Sequence, residues 1–268
     1  MCQNEVLIVL INFVVGVYDH DTTYDAYVSL KNVPELAQFQ KSPLVIGGGM
    51  SLNAIIDLFD EISANDPNYK YCKTIADHIR KVAHPSVRNV GTIAGNLMLK
   101  HAHQDFPSDL FVLMETAGAK LVLKSSSSEV RASPLEFLKT DMSKTILWKI
   151  ELPATTETML SYKTMQRAIN THAYVNGAIR IKVDNNFVVQ GNPTLVYGGI
   201  SKDFIHATNT ESFLNGKSLK DLETLKGAMQ SLQNEAVPEY DPVLASVEYR
   251  SHLVQAILYR VSNQLFTF

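Results

Sequence analysis

The sequence predicts an α+β fold in two domains, and three observations predict it. Short apolar runs of strand character alternate with stretches of helical spacing before residue 153. A Thr-rich segment, residues 153–158, then interrupts the pattern, and beyond it three strands precede two helical stretches. The domains that follow are 1–154 and 158–268, the second a smaller α+β unit with a three-stranded antiparallel sheet and helices.

Residues 6–17 form a nearly unbroken apolar run, well short of the ~20 residues that span a bilayer, and so predict a buried strand. Residues 27–30 read as the next strand, and Asn32-Val-Pro-Glu-Leu36 turns the chain. Residues 44–46 are a short buried strand broken by Gly47, Gly48 and Gly49; no Lys-Ser/Thr follows, so the glycines read as a turn rather than a phosphate loop. Ser51 then caps a helix with Leu52, Ile55, Ile56 and Phe59 at helical spacing. Tyr71, Ile75, His78, Ile79 and Val82 mark a second helix stopped near Pro85, with His78 on its apolar side as a core histidine.

A third helix begins over 109–115, followed by a strand at 119–123, a hairpin tip at 125–128, a helical turn at 134–138 and a strand at 146–152. Past the boundary, strands are expected at 160–167, 173–183 and 194–198, with turns at Asp184-Asn-Asn186 and Gly191-Asn-Pro193. Helices are expected at about 219–234 and 246–263.

Composition narrows the function. At 268 residues and 46% hydrophobic content the chain buries a sizeable core. Lys and Arg number 24 against 27 Asp and Glu, a balance that offers no basic surface to nucleic acid or anionic lipid, so neither nucleic acid nor membrane is an expected partner. Cys2 and Cys72 are the only cysteines, which suits a reducing compartment, and the absence of a basic leader or a peroxisomal C-terminus points to the cytoplasm. Iron–sulfur clusters take about four thiolates, so a complete cluster is not expected in this chain. His101-Ala-His103 with Asp105 lacks zinc-site spacing and reads as a surface loop, and no metal site is expected. No Gly-x-Ser-x-Gly elbow or His-Glu-x-x-His motif supports nucleophilic or zinc chemistry, and no side chain is assigned as a catalytic acid, base or nucleophile.

The informative stretch is Val87-Arg-Asn-Val-Gly-Thr-Ile-Ala-Gly-Asn96, with Ser108-Asp109-Leu110 after it. Gly91 and Gly95 allow close backbone approach, Asn89, Thr92 and Asn96 add polar groups, and unpaired N–H groups of such a turn can cradle an anion. Asp109 can accept hydrogen bonds from hydroxyls. Together these groups suit a cofactor carrying a pyrophosphate and sugars; they equally suit an ordinary turn between elements with a helix-capping Ser-Asp pair.

The same residues resemble the flavin-binding region of the xanthine dehydrogenase and aldehyde oxidase family, whose pattern is Ser/Thr-x-x-Gly-Asn followed by Ser-Asp. Tyr197-Gly-Gly-Ile200 and Val247-Glu-Tyr-Arg250 resemble later signatures of that family, in the family's order. The resemblance implies a PCMH-type FAD-binding domain, followed by a C-terminal domain shared with the carbon monoxide dehydrogenase flavoprotein. FAD would lie between them and accept electrons from a partner iron–sulfur centre, for delivery to oxygen or NAD. Molybdopterin and [2Fe–2S] centres would belong to other domains or subunits of a larger enzyme, which family members commonly build as a homodimer.

By this resemblance Thr92, Gly95 and Asn96 hold the pyrophosphate, Ser108 and Asp109 the ribityl or ribose part, Leu147 lies near the isoalloxazine, and Lys163 lies beside the flavin as a cation. On residue type alone, Leu147 reads as strand core, Lys163 as a solvated strand residue and Asp109 as a helix cap. Asn12 and Gly16 match the family's first phosphate loop, whereas Ile11 and Phe13 replace its close-approach glycine and its hydroxyl. That departure, and the N-terminal truncation that the resemblance implies, give a second reading: a degenerate, non-catalytic fragment with weakened FAD binding that serves as a binding or assembly module.

Overall fold

The structure is a computed structural model that describes residues 6–9, 26–165, 172–241 and 245–266. Strands β1 (Val6–Val9) and β2 (Ala26–Ser29) pair in parallel. A five-stranded antiparallel sheet of order β3-β4-β7-β5-β6 follows, built from β3 (Phe39–Lys41), β4 (Leu44–Gly47), β5 (Lys120–Lys124), β6 (Glu129–Ala132) and β7 (Ile146–Leu152). Helices α1 (Leu52–Asn65), α2 (Tyr71–Ile79), α3 (Pro85–Val90), α4 (Ile93–Ala102), α5 (Asp109–Ala117) and α6 (Pro134–Phe137) accompany it. Ser51 caps α1 as its sequence position implies, its Oγ accepting from Ala54 N at 3.2 Å, and Leu52, Ile55, Ile56 and Phe59 are buried together.

The second sheet, also antiparallel, has the order β11-β10-β9-β8, from β8 (Thr158–Met165), β9 (Ala173–Ile181), β10 (Thr194–Gly198) and β11 (Ile205–His206). The three expected strands are all present, and two-residue β11 extends them, too short to leave a periodic signal. Helices α7 (Thr208–Leu214), α8 (Leu222–Glu235) and α9 (Val247–Leu265) complete this part.

Helix α5 joins the two parts. Every residue from Asp109 to Ala117 is buried, as the unbroken apolar run 110–114 favours. One side of α5 packs into the first core, and the other meets the second sheet through Met159, Ala178 and Val196, with Phe204 just before β11 in the same cluster. Phe111 stacks on Phe204 with ring centroids 4.1 Å apart. The alternate residues of that sheet, Leu160, Val175, Ile179, Leu195 and Tyr197, turn the opposite way into a second core with α8 and α9. A sheet buried on both faces explains the apolar run at 173–183.

The structure corrects the sequence reading in several places, and α7 and β3 are further elements it adds. Residues 93–102, which the glycines suggested were part of a turn, form α4, and its short predecessor α3 also escaped detection. Helix α2 stops at Ile79 because a turn intervenes: Ala83 has φ +50°, and Arg88 Nη1 donates to the Val82 and Ala83 carbonyls at 2.8 and 2.9 Å. His101 is not in a surface loop. It occupies the last turn of α4, with its ring 5.0 Å from that of Phe137 and its Nε2 donating to Thr140 O at 2.8 Å. Among the described residues no helix is long and apolar enough to cross a membrane.

Candidate functional site

Thr92, Gly95 and Asn96 stand at the start of α4. Thr92 is the N-cap, and its Oγ1 accepts from Gly95 N at 3.0 Å. The other amides of this turn are also consumed: Ile93 N donates to Met50 O at 3.2 Å, Ala94 N to Gly48 O at 3.1 Å and Asn96 N to Thr92 O at 3.1 Å. The expected cradle of unpaired backbone N–H groups is therefore not formed here. What this turn offers a ligand is side-chain chemistry, the Thr92 hydroxyl and the Asn96 amide. Gly48 makes the close packing possible, because a β-carbon there would lie 2.4 Å from Leu147 O and 3.0 Å from Ala94 Cβ.

Ser108 ties this turn to α5. Its Oγ accepts from Phe111 N at 3.0 Å and donates to Asn96 Oδ1 at 2.6 Å, so Ser108, and not Asp109, is the α5 cap. Asp109 begins the helix and turns its carboxylate into the junction. Lys163 Nζ of β8 reaches Oδ2 at 2.6 Å, Asn176 Nδ2 of β9 reaches Oδ1 at 2.7 Å, and His78 Nε2 of α2 lies 3.2 Å from Oδ1. The Asp109 side chain is 6% exposed and that of Lys163 1%. Burial by itself would raise the Asp109 carboxyl, but the His78 hydrogen bond, the Lys163 charge and the Asn176 amide outweigh it and hold the group well below the usual carboxylate range. His172 stands near this pair, its imidazole lowered by burial and by the Lys163 charge.

The sequence therefore brings Thr92, Gly95, Asn96, Ser108, Asp109 and Lys163 into one connected region. Lys163 is not a solvated strand residue. Leu147 is fully buried in the first core, next to the Gly48–Ala94 contact. Asn12 and Gly16, with Ile11 and Phe13, lie outside the described residues.

A crevice of about 240 Å³ opens beside the α4 cap, lined by Thr92, Ser51, Asn89, Gly49 and Lys31 among others. Lys31, Ser51, His78 and Asn176 were not read as site residues from sequence. His78 and Asn176 stand 31 and 67 positions from Asp109, a separation that leaves no local pattern.

The two later signatures explain one another. Gly199 has φ +77°, and a β-carbon there would lie 2.4 Å from Tyr174 O. Arg250, 1% exposed, donates from Nη1 to the Gly199 and Ile200 carbonyls at 2.9 and 3.2 Å, and from Nε to Ala245 O at 3.1 Å. Its Nη2 donates to Glu239 O. This constellation is architectural: it clamps the end of β10 to the start of α9.

The family described as FAD binding domain in molybdopterin dehydrogenase matches residues 10–155, and the CO dehydrogenase flavoprotein C-terminal domain matches residues 160–265. An indole-3-acetaldehyde oxidase of Zea mays is 30% identical over 98% of this chain, and an abscisic-aldehyde oxidase of Arabidopsis thaliana 28% identical over 91%. The chain spans about a fifth of each, 19% of their length. Quinoline 2-oxidoreductase from Pseudomonas putida 86 superposes with a TM-score of 0.74 at 25% identity, covering 90% of this chain and 82% of that one. Carbon monoxide dehydrogenase from Hydrogenophaga pseudoflava shares the fold, with a TM-score of 0.74 at 19% identity over 89% of this chain and 81% of its own. This chain belongs to the molybdopterin-dehydrogenase family of FAD-binding domains, and FAD is the cofactor of that family.

Proposed function

We propose that the chain is the FAD-binding, electron-transfer part of an aldehyde-oxidase-like or xanthine-dehydrogenase-like oxidoreductase. Electrons would come from an iron–sulfur centre in another domain or subunit and leave to oxygen or NAD. The observation that supports it is a run of contacts from Thr92 through Asn96 to Ser108, next to Asp109, whose carboxylate pairs with Lys163 of β8. A molybdopterin part would likewise be supplied elsewhere in a larger, homodimeric, cytoplasmic enzyme.

The donor set fits FAD. Thr92 Oγ1 and Asn96 Nδ2 would hold the pyrophosphate, and Lys31, on the same crevice, would balance its charge. Ser108 and Asp109 would take the ribityl or ribose hydroxyls, with Leu147 on the isoalloxazine side and Lys163 as the nearby cation. When bound, FAD supplies the redox chemistry, while the protein supplies placement and electrostatics. Asp109 neutralises much of the Lys163 charge, so the field at the cofactor is that of a pair rather than of a lone ammonium.

Reconstitution of the purified chain with excess FAD tests this directly. The expected result is a protein-bound flavin absorption spectrum after removal of free cofactor, and a colourless protein would overturn the proposal. Ile11 and Phe13 favour the second reading, a non-catalytic binding or assembly module with weakened FAD affinity. On that reading the double substitution Ile11→Gly and Phe13→Thr raises FAD affinity by a large factor, and an unchanged affinity removes its basis.

A further inference from the structure

The Asp109 carboxylate is held from three directions. Asn176 and His78 share Oδ1, which leaves Oδ2 directed at Lys163. We propose that His78 is a positioning residue that fixes the Asp109 carboxylate as the counter-ion of Lys163, and that this fixed pair sets the reduction potential of the flavin beside it. The proposal rests on the FAD reading given above.

The His78, Asp109 and Lys163 side chains are 0%, 6% and 1% exposed, so solvent screens their interaction little. A lone buried ammonium near the flavin would favour the anionic reduced form and raise the potential; a firmly paired one does so less. Whatever loosens Asp109, or lets it take a proton, restores the positive field of Lys163.

His78 holds this contact at the expense of apolar packing. Its neighbours on the buried side of α2 are Cys72, Ile75, Ala76 and Ile79, among which an aliphatic side chain would pack without polar atoms. His78 instead places an imidazole there whose Nδ1 has no partner among the described residues, an unfavourable arrangement for a buried polar atom. The one polar contact its ring makes among the described residues is to Asp109. His172, another titratable ring near Lys163 and Asp109, precedes β9 and feels the charges of both.

Spectroelectrochemical titration of the FAD-loaded chain, as wild type, His78→Leu and His78→Gln, reads the effect. The midpoint potential is expected to move positive in His78→Leu and to return towards wild type in His78→Gln, whose amide restores an N–H donor. A merely structural His78 would change the melting temperature and leave the potential where it was; equal potentials in wild type and His78→Leu overturn the proposal. Should His78→Leu fail to fold, His78→Phe keeps a flat ring of similar size without a donor. Cofactor-free protein supplies a separate readout, carbonyl-carbon NMR of Asp109. Its titration is expected to shift to higher pH in His78→Leu and not in His78→Gln, and an unmoved carboxyl overturns the proposal even if no flavin binds, an outcome that by itself defeats only the FAD reading.

Discussion

Lys163 Nζ lies 2.6 Å from Asp109 Oδ2 and carries a buried ionic contact from the second sheet to the first residue of α5. Removing one member of such a pair leaves a charge in a poor solvent, which typically costs about 3–5 kcal/mol. Asp109→Asn should therefore destabilise the chain by that order, measured by urea unfolding. The combined Asp109→Leu and Lys163→Met variant should lose less than the sum of its single changes, because no orphan charge remains. The depressed Asp109 carboxyl also fixes a sign: its contribution is present above the ordinary carboxylate value of ~3.9 and is lost as pH falls through the folded-state value. Wild type should accordingly lose stability more steeply than Asp109→Asn as pH is lowered from about 5.

His206 supplies a pH signature at the other end of the scale. Its Nδ1 is 3.2 Å from Glu115 Oε1 and its Nε2 3.0 Å from Glu211 Oε1. The Glu115 hydrogen bond first, and then that of Glu211, outweigh burial and raise the imidazole to about 10. A raised folded-state value means that the stabilisation is complete below the unfolded value of ~6.5 and fades as pH rises through about 10. The stability difference between wild type and His206→Gln should thus be largest near pH 6 and shrink steadily towards pH 10, which urea titrations at a series of pH values will read.

Arg250 is expected to matter for folding and not for the cofactor. Its guanidinium satisfies carbonyls of Gly199, Ile200, Ala245 and Glu239 at once, and a lysine ammonium cannot span the same set. Arg250→Lys should cost about 2–4 kcal/mol, by analogy with charge-assisted hydrogen bonds worth roughly 1.5–3 kcal/mol each and partly replaced. FAD affinity, measured on the fraction that remains folded, should stay within about twofold of wild type, a change of only ~0.4 kcal/mol.

How much of this was legible in the sequence varied with the distance over which each feature is determined. Strand β7 and helix α5 announce themselves as apolar runs, because each is buried by the residues it contains. Helix α4 does not, since Gly91, Thr92 and Gly95 look like turn residues and the N-cap bond from Gly95 to Thr92 has no side-chain signature at its third position. Within the site, Thr92 to Asn96 with Ser108 and Asp109 could be read as a motif. Two of the residues that set the charge of Asp109 could not: His78 looks like any core histidine on an apolar face, and Asn176 like an interruption in a strand. Their meaning arises only when α2, α5, β8 and β9 meet.

Thr92 separates capping from ligand binding in a single position. Its Oγ1 accepts from Gly95 N and so caps α4, while on the proposed reading its hydroxyl hydrogen would serve a phosphate oxygen on the crevice side. Thr92→Ala removes both roles and should cost about 1 kcal/mol of stability as a lost cap. It should also cost roughly 10- to 100-fold in FAD affinity, the equivalent of one hydrogen bond to a charged group. Thr92→Ser keeps the hydroxyl and should restore both. Lys31→Ala, at the exposed rim of the same crevice, should leave the melting temperature unchanged and weaken FAD binding most at low ionic strength, since a solvent-facing charge is screened by salt. Fluorescence titration of FAD against the three variants at two salt concentrations reads these outcomes, and an affinity that responds to Thr92→Ala only in proportion to lost stability would assign the hydroxyl to the cap alone.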